Sequence, residues 1–250
     1  MNPSKKIMRQ QNKGKLKSRS WFEFGGRHAL ENRLADLSPV LSTVDLSSLN
    51  AADIGAAEGD ITQWIAQQFA TVEAHEYTDK LYSQLEEKFR DTDRVSTHQT
   101  DITKNPLQGF YDIVFFLGVL HCFTSEPIRR RAMEHCLEHS KHLCITRTAI
   151  RDFRQRDNRR MERAHRYTTL RTFLDATCDK FDICIIDNGY RGEQDLRLGD
   201  LIVFRRRDIR NPLPTLHELF GATEGYIDQE AIQESVISDP TELPTIHLRG

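Results

Sequence analysis

The stretch from Asn50 to Asp60, which reads Asn-Ala-Ala-Asp-Ile-Gly-Ala-Ala-Glu-Gly-Asp, constrains the fold of this chain more than any other segment. It joins an apolar run to a glycine turn, and the turn to a helical pattern over residues 61–69. Gly55 and Gly59 permit a tight turn, because neither carries a Cβ atom that would block a ligand against the backbone. In open α/β sheets such strand–glycine–helix turns bind nucleotide-like ligands at the carboxyl ends of the strands.

The spacing of the turn restricts the kind of ligand. The pattern from Asp53 to Gly59 is Asp-x-Gly-x-x-x-Gly, whereas Gly-x-Gly-x-x-Gly places a pyrophosphate on a helix N-terminus. Glu58 lies inside the turn and would repel a diphosphate, which argues against a nicotinamide-dependent dehydrogenase. The turn suits a cofactor that carries an amino acid and a sulfonium charge. Asp60 and Thr62 are expected to accept from the first N–H groups of the helix.

Strand and helix patterns alternate through the middle of the chain, which predicts a parallel sheet covered on both faces. The most apolar segment, residues 111–118, suits the buried centre of that sheet. The last two strands predict an antiparallel hairpin at a sheet edge. The predicted fold is therefore α/β and Rossmann-like, with seven mostly parallel strands. The strands are expected at residues 50–54, 71–76, 94–101, 111–118, 142–147, 181–186 and 200–205, and the helices at 61–69, 81–89, 126–142 and 169–178.

The two ends of the chain differ from this central domain, residues 44–205. Residues 1–20 hold seven lysines and arginines and no acid, which predicts a basic, flexible tail or an arm for an anionic surface. Residues 21–43 predict an aromatic and helical cap. Residues 206–250 lose the periodicity and hold four prolines, which predicts a C-terminal extension with one short helix at 228–236.

Composition excludes several classes of protein. A net charge of −2 over 250 residues does not by itself require nucleic acid as a partner. Five cysteines without a C-x-x-C pair predict reduced thiols in a cytoplasmic protein. No apolar run is long enough for a membrane span. Residues 135–139 match the H-x-x-E-H zinc pattern, but no third ligand is evident, so we predict no metal site.

Together these features resemble the class I S-adenosylmethionine-dependent methyltransferases over residues 45–205, with weaker similarity to sugar-directed and tRNA wobble-uridine-directed members. The matching motifs are the glycine turn, acids that follow the second and third strands, and the segment that begins at Asp112. The resemblance implies S-adenosylmethionine as the cofactor. The residues implied to bind it are Asp53, Gly55, Ala57, Gly59, Glu76, Asp101, Ile102, Leu117 and Arg33.

Each implied cofactor contact has a chemical reason. Glu76 follows the glycine turn by the roughly 20 residues typical of a ribose-binding acid, and its carboxylate can accept from both ribose hydroxyls. Asp101 can accept from the adenine amine, with Ile102 beside it. Arg33 is expected on an upstream helix, where it would reach the cofactor carboxylate or else remain a surface arginine. Many family members have glycine where this chain has Ala57.

The acceptor is expected to be anionic. Residues 147–171 hold nine arginines against three acids, and arginine binds phosphate or carboxylate through paired N–H groups, although a solvated helix is the alternative. His121, after the fourth strand, is the candidate general base. The candidate acceptor-binding residues are Arg147, His165, Arg166 and Tyr167, of which His165 and Tyr167 are also second choices for the base.

These observations predict O-methylation of a small or sugar-like acceptor, including glycan and phosphorylated acceptors. An RNA or tRNA methyltransferase that uses both basic segments is the second possibility. A non-catalytic, methyltransferase-like subunit that binds a partner is the third. The oligomeric state does not follow from the sequence.

Overall fold

The computed structural model describes Leu37 and residues 44–123, 125–148, 170–177, 179–186, 200–223 and 225–237. The strands are β1 (Asn50–Ile54), β2 (Thr71–Glu76), β3 (Val95–Gln99), β4 (Tyr111–Leu117), β5 (Ser140–Thr148), β6 (Phe181–Ile186), β7 (Asp200–Arg206) and β8 (Tyr226–Ile227). The helices are α1 (Asp60–Ala66), α2 (Asp79–Phe89), α3 (Glu126–Glu138), α4 (Leu170–Thr177), α5 (Leu216–Phe220) and α6 (Gln229–Ile237). Within these residues, none of the helices has the length and apolarity to cross a bilayer.

The described strands form a single eight-stranded sheet in the order β3-β2-β1-β4-β5-β7-β6-β8. The first five strands in that order are parallel, and β7 runs antiparallel to both β5 and β6. The predicted α/β fold with an antiparallel edge is therefore confirmed. The sheet has one strand more than predicted, because Tyr226 and Ile227 pair with Ile186 and Ile185 of β6. The outermost strand is thus β8.

Two apolar layers hold the helices against the sheet. Leu85 and Phe89 of α2 pack with Phe115 of β4 in one layer. Met133 of α3 and Phe173 of α4 belong to the other layer. Burial of each such side chain contributes about 1.5–3 kcal/mol to folding, so the two layers place the strand ends rigidly. The predicted cap, residues 21–43, lies outside the described part apart from Leu37, which is buried in the first layer.

The C-terminal segment belongs to the same folded unit as far as Ile237, which corrects the prediction of an appended extension. Leu213, Leu216 and Phe220 are buried in the core. Arg205 of β7 fixes the segment, because its guanidinium donates to the carbonyls of Leu213 and Pro214 at 2.8 Å each. The prolines interrupt the apolar period of this segment, so its burial could not be predicted from the sequence. Residues 1–20 and 238–250 lie outside the described part.

Candidate active site at the carboxyl edge of the sheet

The glycine turn leaves β1 through three residues with positive φ. These are Gly55 at 78°, Ala57 at 51° and Gly59 at 81°. The N–H groups of Gly55 and Ala56 both donate to the carbonyl oxygen of His75, at 2.7 and 3.0 Å. These two hydrogen bonds therefore attach the turn to the end of the neighbouring strand β2.

The two glycines of the turn pack closely against different side chains. A Cβ atom at Gly55 would lie 2.3 Å from Cγ2 of Val119, the second residue after β4. A Cβ atom at Gly59 would lie 2.5 Å from Cε2 of Phe89 and 2.8 Å from Cδ1 of Leu85, both on α2. Gly59 is thus required for the packing of α1 against α2, and its part in cofactor binding stays a prediction. Gly55 is required instead for the close approach of the turn to the Val119 side chain, after β4.

Glu76 links the glycine turn to the end of β2. Its Oε2 accepts from the N–H of Ala57 at 3.0 Å, and its Oε1 accepts from the N–H of Thr78 at 2.8 Å. The residue is buried, yet an ionised carboxylate offers about four lone-pair sites and only two are used here. Both oxygens can therefore accept a further donor while they hold the backbone.

Asp53 lies beneath the turn and is buried. The Thr62 hydroxyl donates to its Oδ2 at 2.6 Å. Burial raises the pKa of Asp53 to about 7; the Thr62 hydrogen bond opposes this rise and the charge of Glu76 adds to it. The prediction that Thr62 and Asp60 cap α1 is wrong, because Gly59 is the N-cap and makes no side-chain bond. Asp60 instead pairs with Nζ of Lys88 at 2.9 Å.

Asp101 and Ile102 lie in the loop after β3. Oδ1 of Asp101 accepts from the N–H and the hydroxyl of Thr103 at 3.1 and 2.6 Å, and Oδ2 accepts from Nζ of Lys104 at 2.5 Å. Partial burial by itself would raise the pKa of Asp101, but the hydrogen bonds from Lys104 and Thr103 and the Lys104 charge together lower that pKa. Ile102 is buried, and its carbonyl accepts from Nδ1 of His135 at 2.7 Å.

The ends of β4 and β5 bring further predicted residues to the same edge. Leu117 is the last residue of β4 and pairs in register with Arg147 of β5; both are buried. Gly118 follows with φ 72°, and its N–H donates to the carbonyl of Arg147 at 3.2 Å. His121 lies in the 3-10 turn Leu120–Cys122, which follows Gly118 closely in the chain.

Several predicted residues cannot be placed. The His121 backbone is described but its side chain is not. Outside the described part of the chain lie Arg33, His165, Arg166 and Tyr167, together with most of the arginine-rich segment. Their roles stay predictions.

The two histidines of residues 135–139 form hydrogen bonds to the backbone of other segments. His135 and His139 each donate from Nδ1 to a backbone carbonyl, that of Ile102 at 2.7 Å and that of Gly109 at 2.6 Å. Among the residues that the structure describes, no group of three or more histidine, cysteine, aspartate or glutamate side chains suits a metal ion.

Sequence reasoning missed two residues at this edge. Val119 gave no signal, because a lone valine after a strand is unremarkable in a sequence. Arg129 is charged and lies in the first turns of an amphipathic helix, which predicts exposure, yet the structure buries it. Arg129 pairs with Glu126, three residues earlier. Because such pairs are common on exposed helices, this spacing did not indicate that Arg129 is buried.

Comparison with known proteins agrees with this geometry. Residues 51–142 match a family described as "Methyltransferase domain". The resemblance to a methyltransferase drawn from the sequence is thereby confirmed over residues 51–142. No curated protein matches the chain.

Solved structures show where this methyltransferase fold recurs. The N-methyltransferase NodS from Bradyrhizobium japonicum WM9, with S-adenosylhomocysteine, aligns with a TM-score of 0.60 at 14% identity, over 84% of this chain and 98% of that one. Magnesium protoporphyrin IX methyltransferase from Synechocystis PCC 6803, with bound S-adenosylmethionine, aligns at 0.61 and 16% identity, over 83% and 98%. Haemonchus contortus phosphoethanolamine N-methyltransferase 1 aligns at 0.57 and 12% identity, over 86% and 52%. At these identities the likeness concerns the fold.

Proposed function

We propose that this methyltransferase transfers a methyl group from S-adenosylmethionine to an oxygen atom of a small or sugar-like acceptor that bears an anionic group. The observation that carries the cofactor assignment is the carboxylate of Glu76. It lies at the end of β2, one carboxylate oxygen fixes the glycine turn, and both oxygens retain acceptor capacity. Two vicinal hydroxyls, as in a ribose, supply the donors that it needs.

The residues around the glycine turn fit the remainder of the cofactor. Gly55 carries no side chain, and Asp53 and Glu76 place carboxyl groups near a cofactor with a sulfonium and an ammonium group. Asp101 lies one strand further along the edge, where it can accept from the adenine amine through an oxygen that already holds Thr103 or Lys104. When bound, the cofactor supplies a methyl group already activated by the sulfonium charge. The protein must orient the acceptor and exclude water.

The acceptor side is formed by the ends of β4 and β5. His121 follows β4, and we assign it the role of the base that removes the proton from an acceptor hydroxyl. Arg147 at the end of β5 begins the arginine-rich segment, which with His165, Arg166 and Tyr167 would recognise the anionic group. One structural relative was solved with phosphoethanolamine, a small phosphorylated acceptor, which supports this acceptor class.

Titration with S-adenosylhomocysteine by calorimetry tests the cofactor assignment. We expect wild-type binding, and a dissociation constant about 10-fold to 100-fold higher for Glu76→Gln, because a charge-assisted hydrogen bond contributes about 1.5–3 kcal/mol. Glu87→Gln is the matched control, because Glu87 is two-thirds exposed on α2. Equal affinity in Glu76→Gln and Glu87→Gln, or no binding by the wild type, would refute the assignment.

A labelled-methyl assay against phosphosugars, glycans and tRNA tests the acceptor class. We expect methylation of a phosphosugar or glycan with an alkali-stable, ether-linked product. Methylation of tRNA alone, with affinity that falls steeply as salt rises, would favour the RNA methyltransferase instead. Binding of S-adenosylhomocysteine without turnover on any acceptor would favour a non-catalytic subunit.

We also infer a reducing, cytoplasmic location. The support is that the buried thiols of Cys136, Cys144 and Cys184 form no disulfide.

A further inference from the structure

A buried arginine lies directly beneath the turn that carries His121. The Arg129 side chain is only 6% exposed. Its Nη1 donates to the carbonyl of Phe123 at 2.6 Å. Its Nε and Nη2 donate to Oε2 of Glu126 at 3.0 and 2.6 Å. One guanidinium thus joins the residue that ends the 3-10 turn to the first residue of α3.

Local backbone bonds close the turn, and buried apolar side chains flank it. Its own backbone bonds are local, from Cys122 N–H to the Val119 carbonyl at 2.8 Å and from Phe123 N–H to the Leu120 carbonyl at 3.2 Å. Ser125, the N-cap of α3, makes no side-chain capping bond. Leu120 and Phe123 are buried on either side of His121, so they set the depth of the turn. The Arg129 guanidinium sets its position along α3.

We propose that Arg129 is a positioning residue, which holds the 3-10 turn that carries His121 in place at the carboxyl edge of β4. This proposal rests on the proposed function, in which His121 is the base. A misplacement of about 1 Å at a reacting group can cost about 100-fold in rate, so a buried tie at this turn has a direct effect on catalysis.

The geometry requires arginine in particular. The planar guanidinium donates along one edge to the carboxylate and from another nitrogen to the carbonyl at the same time. A lysine ammonium is a single point donor on a flexible stem and can keep only one of the two ties in place. A methionine fills similar volume and keeps neither.

The test compares Arg129→Met and Arg129→Lys with Arg130→Met. Arg130 is the adjacent residue on α3, its side chain is 52% exposed, and it pairs with Glu134 on the helix surface. The first readout is the titration of the His121 imidazole by NMR, with the resonance assigned from its loss in His121→Gln. The second is the affinity for S-adenosylhomocysteine. The third is the turnover number on the acceptor found in the panel assay.

We expect Arg129→Met to change the His121 shift and titration midpoint, and to lower turnover at least about 10-fold, with S-adenosylhomocysteine affinity within twofold of the wild type. Arg129→Lys should fall between, and Arg130→Met should match the wild type. In the His121→Gln background, Arg129→Met should cost less than twofold, because the two residues act as one unit.

Two outcomes would overturn the proposal. One is a His121 titration in Arg129→Met that matches that of Arg130→Met. The other is an undiminished effect of Arg129→Met in the His121→Gln background. If Arg129→Met does not fold, which loss of binding to S-adenosylhomocysteine would reveal, Arg129→Lys decides by the same two criteria. Absence of wild-type binding to S-adenosylhomocysteine would instead refute the proposed function.

Discussion

At the scale of single residues, Val119 limits which residue can occupy position 55 of the glycine turn. Gly55 has φ 78°, and any Cβ there would lie 2.3 Å from Val119 Cγ2. Even alanine at this position therefore meets two penalties, one from the backbone conformation and one from the valine side chain.

Gly55→Ala should destabilise the protein by about 1–3 kcal/mol and weaken S-adenosylhomocysteine binding. Val119→Ala added to it should restore part of the loss, because it removes the methyl group that a Cβ would strike. Denaturation and calorimetry on the two single variants and the double variant measure this coupling. Strictly additive losses would show that the valine contact does not limit the turn.

Asp53 should make stability depend on pH. Its folded-state pKa is raised from 3.8 to about 7, chiefly by burial, so its contribution is fully present below pH 4 and is lost as the pH rises through 7. Asp53→Asn keeps an oxygen acceptor for Thr62 and removes the titration. The variant should therefore gain in melting temperature relative to the wild type between pH 5 and pH 8. The exposed Asp91→Asn should show no such trend, and a constant difference for Asp53→Asn would contradict the prediction.

Residues whose place follows from strand order could be predicted from the sequence, and residues whose place follows from packing could not. Glu76 and Asp101 were placed at the carboxyl edge because they end or follow consecutive strands, and parallel strands end at the same edge. Thr62 was misassigned, because the identity of a threonine does not reveal that its hydroxyl reaches Asp53. Val119 and Arg129 act through neighbours that only the folded chain brings together.

At the scale of elements, α1 and α2 pack tightly because Gly59 has no side chain toward Phe89 and Leu85. The existence and order of the central strands and helices could be predicted, because each has a clear apolar period. β8 could not be predicted, because two residues carry no period and the strand exists only through its pairing with β6. Helix α5, five residues long, escaped for the same reason.

The start of α5 offers a direct test of local stability. The Thr215 hydroxyl accepts from the N–H of Glu218 at 3.2 Å, and the Glu218 carboxylate accepts from the N–H of Thr215 at 2.7 Å. Thr215→Ala should lower the free energy of unfolding by about 1 kcal/mol and leave cofactor affinity unchanged. The exposed Thr92→Ala serves as the control in chemical denaturation. Equal stability of the two variants would show that this cap does not hold α5 in solution.

At the scale of the whole molecule, the chain folds as one unit to at least Ile237. Leu213, Phe220 and Ile232 lie in the two apolar layers and not on a separate surface. The sequence placed the end of the domain near residue 205, because prolines interrupt the pattern there. A segment belongs to a domain when its side chains are buried in the core. In an irregular segment the buried residues do not recur at helix or strand spacing, so the sequence pattern does not reveal them.

A chain that ends at Arg207 should therefore fail to fold stably, whereas a chain that ends at Ile237 should unfold cooperatively. The shorter chain loses several buried apolar side chains, each with a contribution of about 1.5–3 kcal/mol, and their sum is comparable with the 5–15 kcal/mol stability of a typical domain. Circular dichroism and thermal denaturation on the two truncated chains measure the difference. A cooperative transition in the shorter chain would restore the boundary near residue 205.

The carboxylate of Glu76 also bears on how such a site could be transferred to another scaffold. This carboxylate accepts from the N–H groups of both Ala57 and Thr78, so one side chain holds the glycine loop against the end of the neighbouring strand. Grafting the glycine loop alone onto a foreign sheet would leave its backbone unsupported. A working transplant has to carry the loop and the acid together, with the strand spacing that keeps them within reach.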